Sequence, residues 1–159
     1  MNKELTTPER KKLFDKIFKE KIVPLFNNYG YCLHTKTSKR LFKNLENKLS
    51  VFVFLEYKNR FGCYDIAIAY FDEEIGKVYD DNYLALVNGM NPSFKGENAE
   101  ELNLSVDNWI LEMKSTVFPF IENHGTHKSI LESDQFYISK ARANKIEERL
   151  KETTKNDII

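Results

Sequence analysis

Two apolar stretches joined by a short polar link constrain the fold of this 159-residue chain more than any other feature. In the first stretch, residues 49–57, apolar side chains alternate on one face, and Phe52 and Phe54 add apolar surface to the other. This pattern is typical of a central strand that is covered, at least in part, on both sides. In the second stretch, residues 62–71, tyrosine and isoleucine alternate with mostly small residues. The link, residues 58–61, has hairpin length, so the pair predicts an antiparallel β-hairpin.

Amphipathic helices are predicted on both sides of this hairpin. Thr7 is suited to cap the first helix and Pro8 to occupy its first position, where a missing N–H costs nothing. Apolar residues then recur at helical spacing as far as Phe26. A second helix is predicted to begin at Ser105, and Trp109 lies on its apolar face, which indicates a core residue.

Residues 22–30 and 117–125 resemble each other, with a proline inside the apolar pattern and a glycine at its end. A proline inside a helix removes a hydrogen bond and kinks the helix, while glycine suits a left-handed helix cap. Both segments are therefore interpreted as kinked helix ends. The two prolines are Pro24 and Pro119, and the two glycines, which are expected to have positive φ, are Gly30 and Gly125.

Weaker strand patterns occur at residues 31–35 and 41–45, and a further strand is possible at 83–87. Together with the hairpin they predict an antiparallel β-meander of three or four strands. The predicted fold class is therefore α+β, with the meander packed against amphipathic helices in a single domain that spans residues 1–159.

Four segments are expected to lie outside this framework. Residues 1–6 and 155–159 are expected to be frayed, and residues 88–105, which contain Gly, Pro and Asn with little periodicity, predict a long surface loop. Residues 139–154 are charged with a thin apolar stripe, which is typical of a surface helix.

Three segments resemble the bacterial domain-of-unknown-function 4304 family: IVPLFNNYGY (22–31), LSVFVFLEYKNRFGCYDIAIAYF (49–71) and DNWILEMKSTVFPFIENHGTHKSILES (107–133). The resemblance implies a small cytosolic α+β domain of a kind sometimes found near toxin or phage-defence genes. It assigns no functional residue to this chain.

The sequence contains none of the common catalytic or cofactor-binding motifs. Its six glycines form neither GxxxxGK nor GxGxxG, and HExxH, CxxC and the nucleophile elbow are missing. His124 and His127 come nearest to a metal motif, with Glu122 and Asp134 as candidate further ligands. Because a zinc site needs at least three protein ligands, both histidines are interpreted as surface residues in a turn. We therefore predict no catalytic, cofactor-binding or metal-binding residues.

The predicted strands contain one carboxylate and two thiols whose environment bears on function: Asp65, Cys32 and Cys63. Asp65 interrupts an otherwise apolar strand, so we expect a buried carboxylate that is hydrogen-bonded or ion-paired, with His34 or Arg40 as neighbours. The alternative is that Asp65 lines a pocket. Cys32 and Cys63 are expected to be buried thiols that act as small apolar groups.

The net charge is zero, but the charges are unevenly distributed. Residues 1–60 carry 14 Lys/Arg against 6 Asp/Glu, and residues 61–135 carry 4 against 14. Either the two segments neutralise each other in space, or the acidic segment 72–107 binds a protein partner. The basic stretch 36–48 contains one aromatic residue, Phe42, whereas single-strand binders need several stacking rings, so nucleic-acid binding is not expected.

The sequence has no apolar run of the ~20 residues needed to span a bilayer and no recognisable secretion signal, so we expect a cytoplasmic protein with no membrane contact. We expect a non-enzymatic protein-binding or regulatory module, for which the family resemblance implies an immunity or defence setting. The alternative is a small-molecule-binding domain or an enzyme with a pocket near Asp65.

Overall fold

The computed structural model describes residues 3–58, 62–74, 83–138, 147–148 and 151, and its central element is an antiparallel sheet of six strands in chain order. Each strand pairs antiparallel with the next. The strands are β1 (Cys32–Leu33), β2 (Arg40–Asn44), β3 (Leu49–Lys58), β4 (Cys63–Asp72), β5 (Ala85–Val87) and β6 (Phe136–Tyr137). The predicted α+β class and the antiparallel meander are confirmed, and the meander has six strands rather than three or four.

The β3–β4 hairpin forms the centre of the sheet. Val53 is 0% exposed on one face of β3 and Phe52 is 4% exposed on the other, so β3 is covered on both faces as predicted. The Val53 face, together with the isoleucines of β4, belongs to the main core. On the opposite face Phe52, Ala69 and Phe71 form a second, smaller apolar cluster. Ala69 lies directly opposite Phe52 in the register, so the small side chain leaves room for the ring.

Two helical runs bury their apolar faces in the main core. Each run consists of α-helix, one π-helical turn and a second, short α-helix. The first run is α1 (Thr7–Ile17), the π-helical turn Phe18–Ile22 and α2 (Val23–Asn28). The second is α3 (Ala99–Glu112), the π-helical turn Met113–Val117 and α4 (Phe118–Asn123), and it is followed by α5 (His127–Glu132). Trp109, on α3, is 1% exposed, which confirms it as a core residue.

The two π-helical turns explain the repeated sequence pattern. Pro24 and Pro119 lie within helices, as predicted, each as the second residue of a short α-helix. A proline ring clashes with the carbonyl four residues earlier in a regular α-helix. Widening the preceding turn to π geometry relieves this clash, and the N–H groups of Val23 and Phe118 bond to carbonyls five residues back.

Both helix starts differ from the prediction by the position of the capping residue. Thr6, not Thr7, caps α1: its Oγ1 accepts a hydrogen bond from the Glu9 N–H at 3.3 Å, and Glu9 Oε1 accepts one from the Thr6 N–H at 3.1 Å. This reciprocal capping box outweighs the preference of Pro8 for the first position. Asn98, not Ser105, caps the second run.

The predicted loop 88–105 is therefore wrong for residues 99–105, which are helical. Residues 88–98 contain no helix or strand and are mostly exposed, but Pro92 and Phe94 are buried. Phe94 is 1% exposed and bridges to Tyr64 at the beginning of β4. The predicted fraying of residues 1–6 is wrong from residue 4 onwards, because Glu4 bridges to Asn98. Residues 155–159 lie outside the described residues, as does most of the helix predicted at 139–154.

Of the two glycines expected to have positive φ, one does. Gly30 has φ +89°, which confirms a left-handed position after α2. Gly125 is not in the left-handed region, and the prediction for it is wrong. The reason is that α4 ends at Asn123 with His124 as its C-cap, and the chain then passes through extended Thr126, which caps α5 by accepting the Ser129 N–H.

Candidate functional site: a cleft between the first helix and the central hairpin

A cleft of about 320 Å³ lies between α1 and the β3–β4 hairpin, and we call it the α1–hairpin cleft. Its apolar surface comes from Phe14 on α1, Leu55 and Tyr57 on β3, and Tyr64 on β4. Tyr57 and Tyr64 are paired directly in the register, so both rings lie on the same face of the sheet, toward α1. The other residues that line the cleft are Thr7, Arg10, Lys11, Asp15 and Lys39.

Stacked aromatic rings form the floor of the cleft. The rings of Tyr64 and Phe14 stack with centroids 4.0 Å apart, and the rings of Tyr64 and Phe94 stack with centroids 5.2 Å apart. Tyr57 lies 4.9 Å from Tyr64 and is 37% exposed, so it forms the open wall of the cleft. Phe14 and Tyr64 are 5% and 6% exposed, which makes the floor part of the core and therefore rigid.

Charged side chains surround this floor, with three cations against one carboxylate. Arg10 and Lys11 come from α1, and Lys39 comes from the chain just before β2. Lys39 is held in place by Asp15 at 3.1 Å and lies over the ring of Phe18 at 4.7 Å. The single carboxylate is therefore engaged with one lysine, and the rim remains cationic overall.

Arg10 is the most unusual residue of the rim. Its Nε is fully covered, yet it has no hydrogen-bond partner within the part of the chain that the structure describes. Arg10 also lines a second, more polar cleft of about 690 Å³, whose other lining residues are Glu4, Gly62, Lys95, Gly96, Glu97, Glu101 and Ser105. The guanidinium thus stands at the boundary of two clefts.

The phenol of Tyr64 remains neutral over the physiological range. Burial raises the pKa of Tyr64 to about 12, with a further increase from Tyr57, and the nearby Arg10 opposes this change only in part. A neutral hydroxyl can donate or accept a hydrogen bond without adding charge to the floor. The electrostatic character of the cleft therefore comes from its rim.

Asp65 does not belong to this cleft, and the expectation that it is a buried carboxylate is wrong. It is only partly buried and lies opposite Glu56 in the register, on the face of the sheet away from the cleft. Its electrostatic influence falls on Lys58, whose pKa is raised mainly by Glu56 and to a smaller extent by Asp65. Of the expected neighbours, Arg40 lies over the ring of Phe54 instead.

The buried carboxylate of β4 is Asp72, which the sequence analysis had assigned to the acidic surface. Its Oδ2 lies 2.7 Å from Nε2 of His127, and both side chains are 0% exposed. The interpretation of His127 as a surface residue is therefore wrong. His124 is partly exposed, and its Nδ1 lies 2.7 Å from the carbonyl oxygen of Phe120.

The two histidines thus face different partners and do not converge on one point. Within the described ranges, no group of three His, Cys, Asp or Glu side chains could hold a metal ion. Cys32 is exposed and Cys63 is partly exposed, so the prediction of two buried thiols is wrong. Cys32 is on β1, an edge strand of only two residues, which explains its exposure.

The acidic segment 72–107 is divided between the two ends of β4. Its first part follows Asp72 at the end of the strand, where Glu74 pairs with Lys48. Its last part follows Phe94, which bridges to Tyr64 at the beginning of the strand. Tyr64 and Asp72 are eight residues apart on the extended strand, which corresponds to about 26 Å. The acidic residues that the structure describes therefore do not form one patch, and residues 75–82 lie outside them.

No residue of the α1–hairpin cleft was predicted from the sequence as a functional residue. Phe14 and Tyr64 have the apolar pattern of ordinary core residues, and Arg10 and Lys11 are two of many charges on an amphipathic helix. The only available signal was the pair Arg10 and Phe14, which are four residues apart and therefore on one helix face. Recognising the cleft also requires knowing that this face lies against Tyr57.

Comparison of the chain with protein-family models, with curated proteins and with solved structures gives no match. Among the described residues, no helix has the length and apolar character needed to cross a membrane.

Proposed function

We propose that this chain is a non-enzymatic, cytosolic protein-binding module, and that the α1–hairpin cleft docks one apolar or aromatic side chain carried on an acidic segment of the partner. The observation that carries this proposal is a floor of stacked aromatic rings, including Phe14 and Tyr64, beneath a rim with three cations and one carboxylate.

The size of the cleft favours a single anchoring side chain. A volume of about 320 Å³ is at the lower end of the ~300–1,000 Å³ typical of ligand pockets. Protein interfaces obtain most of their binding energy from a few large side chains that fill such pockets, while the surrounding contacts exclude water. Because the floor is part of the core, the cleft loses little conformational entropy when it is filled.

The charge of the rim favours an acidic partner segment. Lys39 is already paired with Asp15, whereas no ion pair to Arg10 or Lys11 is found within the described part of the chain. Complementary charge around an apolar anchor raises the association rate and selects against basic partners. The proposed binding surface is therefore the cationic α1–hairpin cleft, in place of the acidic segment 72–107 that the sequence suggested.

The contacts of the basic stretch 36–48 support the expectation that nucleic acid is not the partner. Lys39 and Lys48 form ion pairs within the chain. Lys43 donates to a backbone carbonyl, and Arg40 lies over an aromatic ring. Cations that are occupied in this way form a poor strip for a phosphate backbone.

The proposal is tested by selecting short random peptides, displayed on phage, on the immobilised full chain. We expect enrichment of peptides that combine one aromatic or large aliphatic residue with neighbouring acidic residues. Their affinity should fall as added salt screens the rim charges. Enrichment of basic peptides, or affinity that is independent of salt, would contradict the proposal.

Variants of the cleft identify where the selected peptides bind. Tyr57→Ala removes the exposed wall and should weaken binding about tenfold, as for loss of a contact at the centre of an interface. Tyr137→Ala is the matched control, because Tyr137 is also exposed but lies on β6 at the sheet edge. Lys11→Gln should weaken binding about twofold to fivefold, whereas Lys12→Gln, one residue farther along α1 and outside the lining, should not.

A second candidate is a small-molecule-binding domain that uses the same cleft, favoured by the volume and by the stacked floor. A ligand of this kind would be an aromatic carboxylate. The two candidates are distinguished by a thermal-shift screen of aromatic carboxylates against the full chain. A compound that binds with micromolar affinity and displaces the selected peptides would favour the small-molecule function.

A further inference from the structure

One hydrogen-bond donor of the Arg10 guanidinium is left without a partner among the described residues. Its Nε–H is covered, and no acceptor for it exists among the described residues. Buried donors in folded proteins are nearly always hydrogen-bonded, so each exception calls for an explanation. Arg10 also lines the α1–hairpin cleft, whose floor is apolar.

We propose that Arg10 is the residue of the α1–hairpin cleft that recognises an acidic side chain of the bound segment, next to the side chain that fills the aromatic floor. A carboxylate is the group that matches the guanidinium, because its two oxygens can accept the Nε–H and a neighbouring Nη–H at the same time. This inference rests on the proposed function and adds the chemical group that the site selects.

The position of Arg10 permits this contact. It is one helical turn before Phe14, so its side chain and the ring lie on the same face of α1. Arg10 and Tyr64 also line the same cleft. This contact requires the Arg10 side chain to turn so that its covered Nε–H faces the cleft. The carboxylate and the anchor of the ligand must therefore be close together, as on adjacent residues of a peptide.

The test uses two capped dipeptides, N-acetyl-glutamyl-phenylalanine amide and N-acetyl-glutaminyl-phenylalanine amide, which differ only in the acidic group. Binding to the full chain is followed by NMR, through the backbone amides of α1 and the side-chain Nε–H signal of Arg10. We expect the glutamyl peptide to bind about tenfold more tightly than the glutaminyl peptide and to shift the Arg10 Nε–H signal. Arg10→Gln should abolish this preference, and Arg10→Lys, which keeps the charge but not the fork of donors, should reduce it to about twofold.

Each outcome separates this inference from the proposed function. If both peptides bind equally to the unaltered chain, or if Arg10→Lys keeps the full preference, the role of Arg10 is overturned while the cleft remains a binding site. If neither dipeptide binds but the selected peptides do, the role of Arg10 is again overturned. If nothing binds in either experiment, both proposals fail. Folding of each variant is checked by near-ultraviolet circular dichroism.

Discussion

His127 Nε2 lies 2.7 Å from Asp72 Oδ2 in a fully buried contact between the start of α5 and the end of β4. The contact joins residues that are 55 positions apart, and it fixes α5 to the sheet. Asp72 Oδ1 also accepts the Glu74 N–H at 2.9 Å, so the carboxylate also orders the turn that follows β4. A polar pair at this depth is a structural element, because no substrate can reach it without unfolding of the surrounding core.

We expect His127→Ala to lower the free energy of unfolding by about 3–5 kcal/mol, because it leaves a buried carboxylate without this partner. His124→Ala is the matched control. His124 is partly exposed and makes one hydrogen bond, so its loss should cost about 1 kcal/mol. Both values come from urea unfolding of the full chain. Equal costs for the two variants would show that the Asp72 contact contributes nothing. Both histidines were interpreted from the sequence as surface residues, and the structure replaces that interpretation for His127.

The two histidines should also have opposite tautomers. Nε2 of His127 must donate to the Asp72 carboxylate, and its buried Nδ1 has no hydrogen-bond partner among the described residues, so Nδ1 is best left as a lone pair. In His124 the partner of Nδ1 is a carbonyl oxygen, which only accepts, so Nδ1 must carry the proton. Long-range proton–nitrogen correlation spectra at neutral pH distinguish these states. A protonated Nδ1 in His127 would show that this assignment of the buried pair is wrong.

Alkaline pH should destabilise the chain through its buried tyrosines. Burial raises the pKa of Tyr64 to about 12, and it raises the pKa values of Tyr31 and Tyr70 as well. Above the usual pKa of about 10, the unfolded chain loses phenolic protons that the folded chain retains. The unfolded state then binds fewer protons, so the free energy of unfolding falls as pH rises. For Tyr64 the fall should extend from about pH 10 to about pH 12.

This pH dependence is measured by urea unfolding at a series of pH values, with tyrosinate absorbance as a second signal. Tyr64→Phe removes one of the three phenols and should make the fall less steep, whereas Tyr137→Phe, at an exposed position, should leave it unchanged. A chain whose stability is constant across this range, or rises, would contradict the burial of these hydroxyl groups.

The sequence predicted the parts of the fold that depend on local patterns. The β3–β4 hairpin, the helical position of Pro24 and the left-handed Gly30 follow from side-chain alternation, periodicity and backbone chemistry. The buried Asp72 could not be predicted in this way. It stands at the polar end of an apolar strand, and its partner is 55 residues away. The alternation of side chains along β4 is as predicted. Asp65, however, lies on the face of the sheet opposite Tyr64, which is less covered, and it is therefore only partly buried.

The α1–hairpin cleft was unpredictable for a related reason. Each of its residues has an ordinary local role, and the site exists only because α1 lies beside Tyr57 and Tyr64. The loop 88–98 shows the same limit, because its composition is that of a surface segment, yet Phe94 is inserted against Tyr64. Contacts between distant segments decide burial at these positions, and a single sequence contains no direct record of them.

Gly96 offers a direct test of how closely this loop approaches α3. A Cβ atom added at Gly96 would lie 2.3 Å from the Leu102 nitrogen and 2.5 Å from its Cα, both backbone atoms that cannot turn aside. The loop is held in this position by hydrogen bonds from the Lys95 N–H to Ser105 Oγ and from the Glu97 N–H to Glu101 Oε2. We therefore expect Gly96→Ala to lower the free energy of unfolding by about 1–3 kcal/mol.

Gly125→Ala is the matched control for Gly96→Ala, since the nearest atom to its added Cβ is 3.7 Å away and its φ lies outside the left-handed region. It should change the free energy of unfolding by no more than about 0.5 kcal/mol. Gly30→Ala should cost about 1–2 kcal/mol for a different reason, because φ +89° is unfavourable for a side chain. The fluorescence of Trp109, the only tryptophan of the chain, reports unfolding in all three variants because its ring is buried beside Phe94. A Gly96→Ala protein as stable as Gly125→Ala would mean that residues 95–97 do not pack against the first turns of α3.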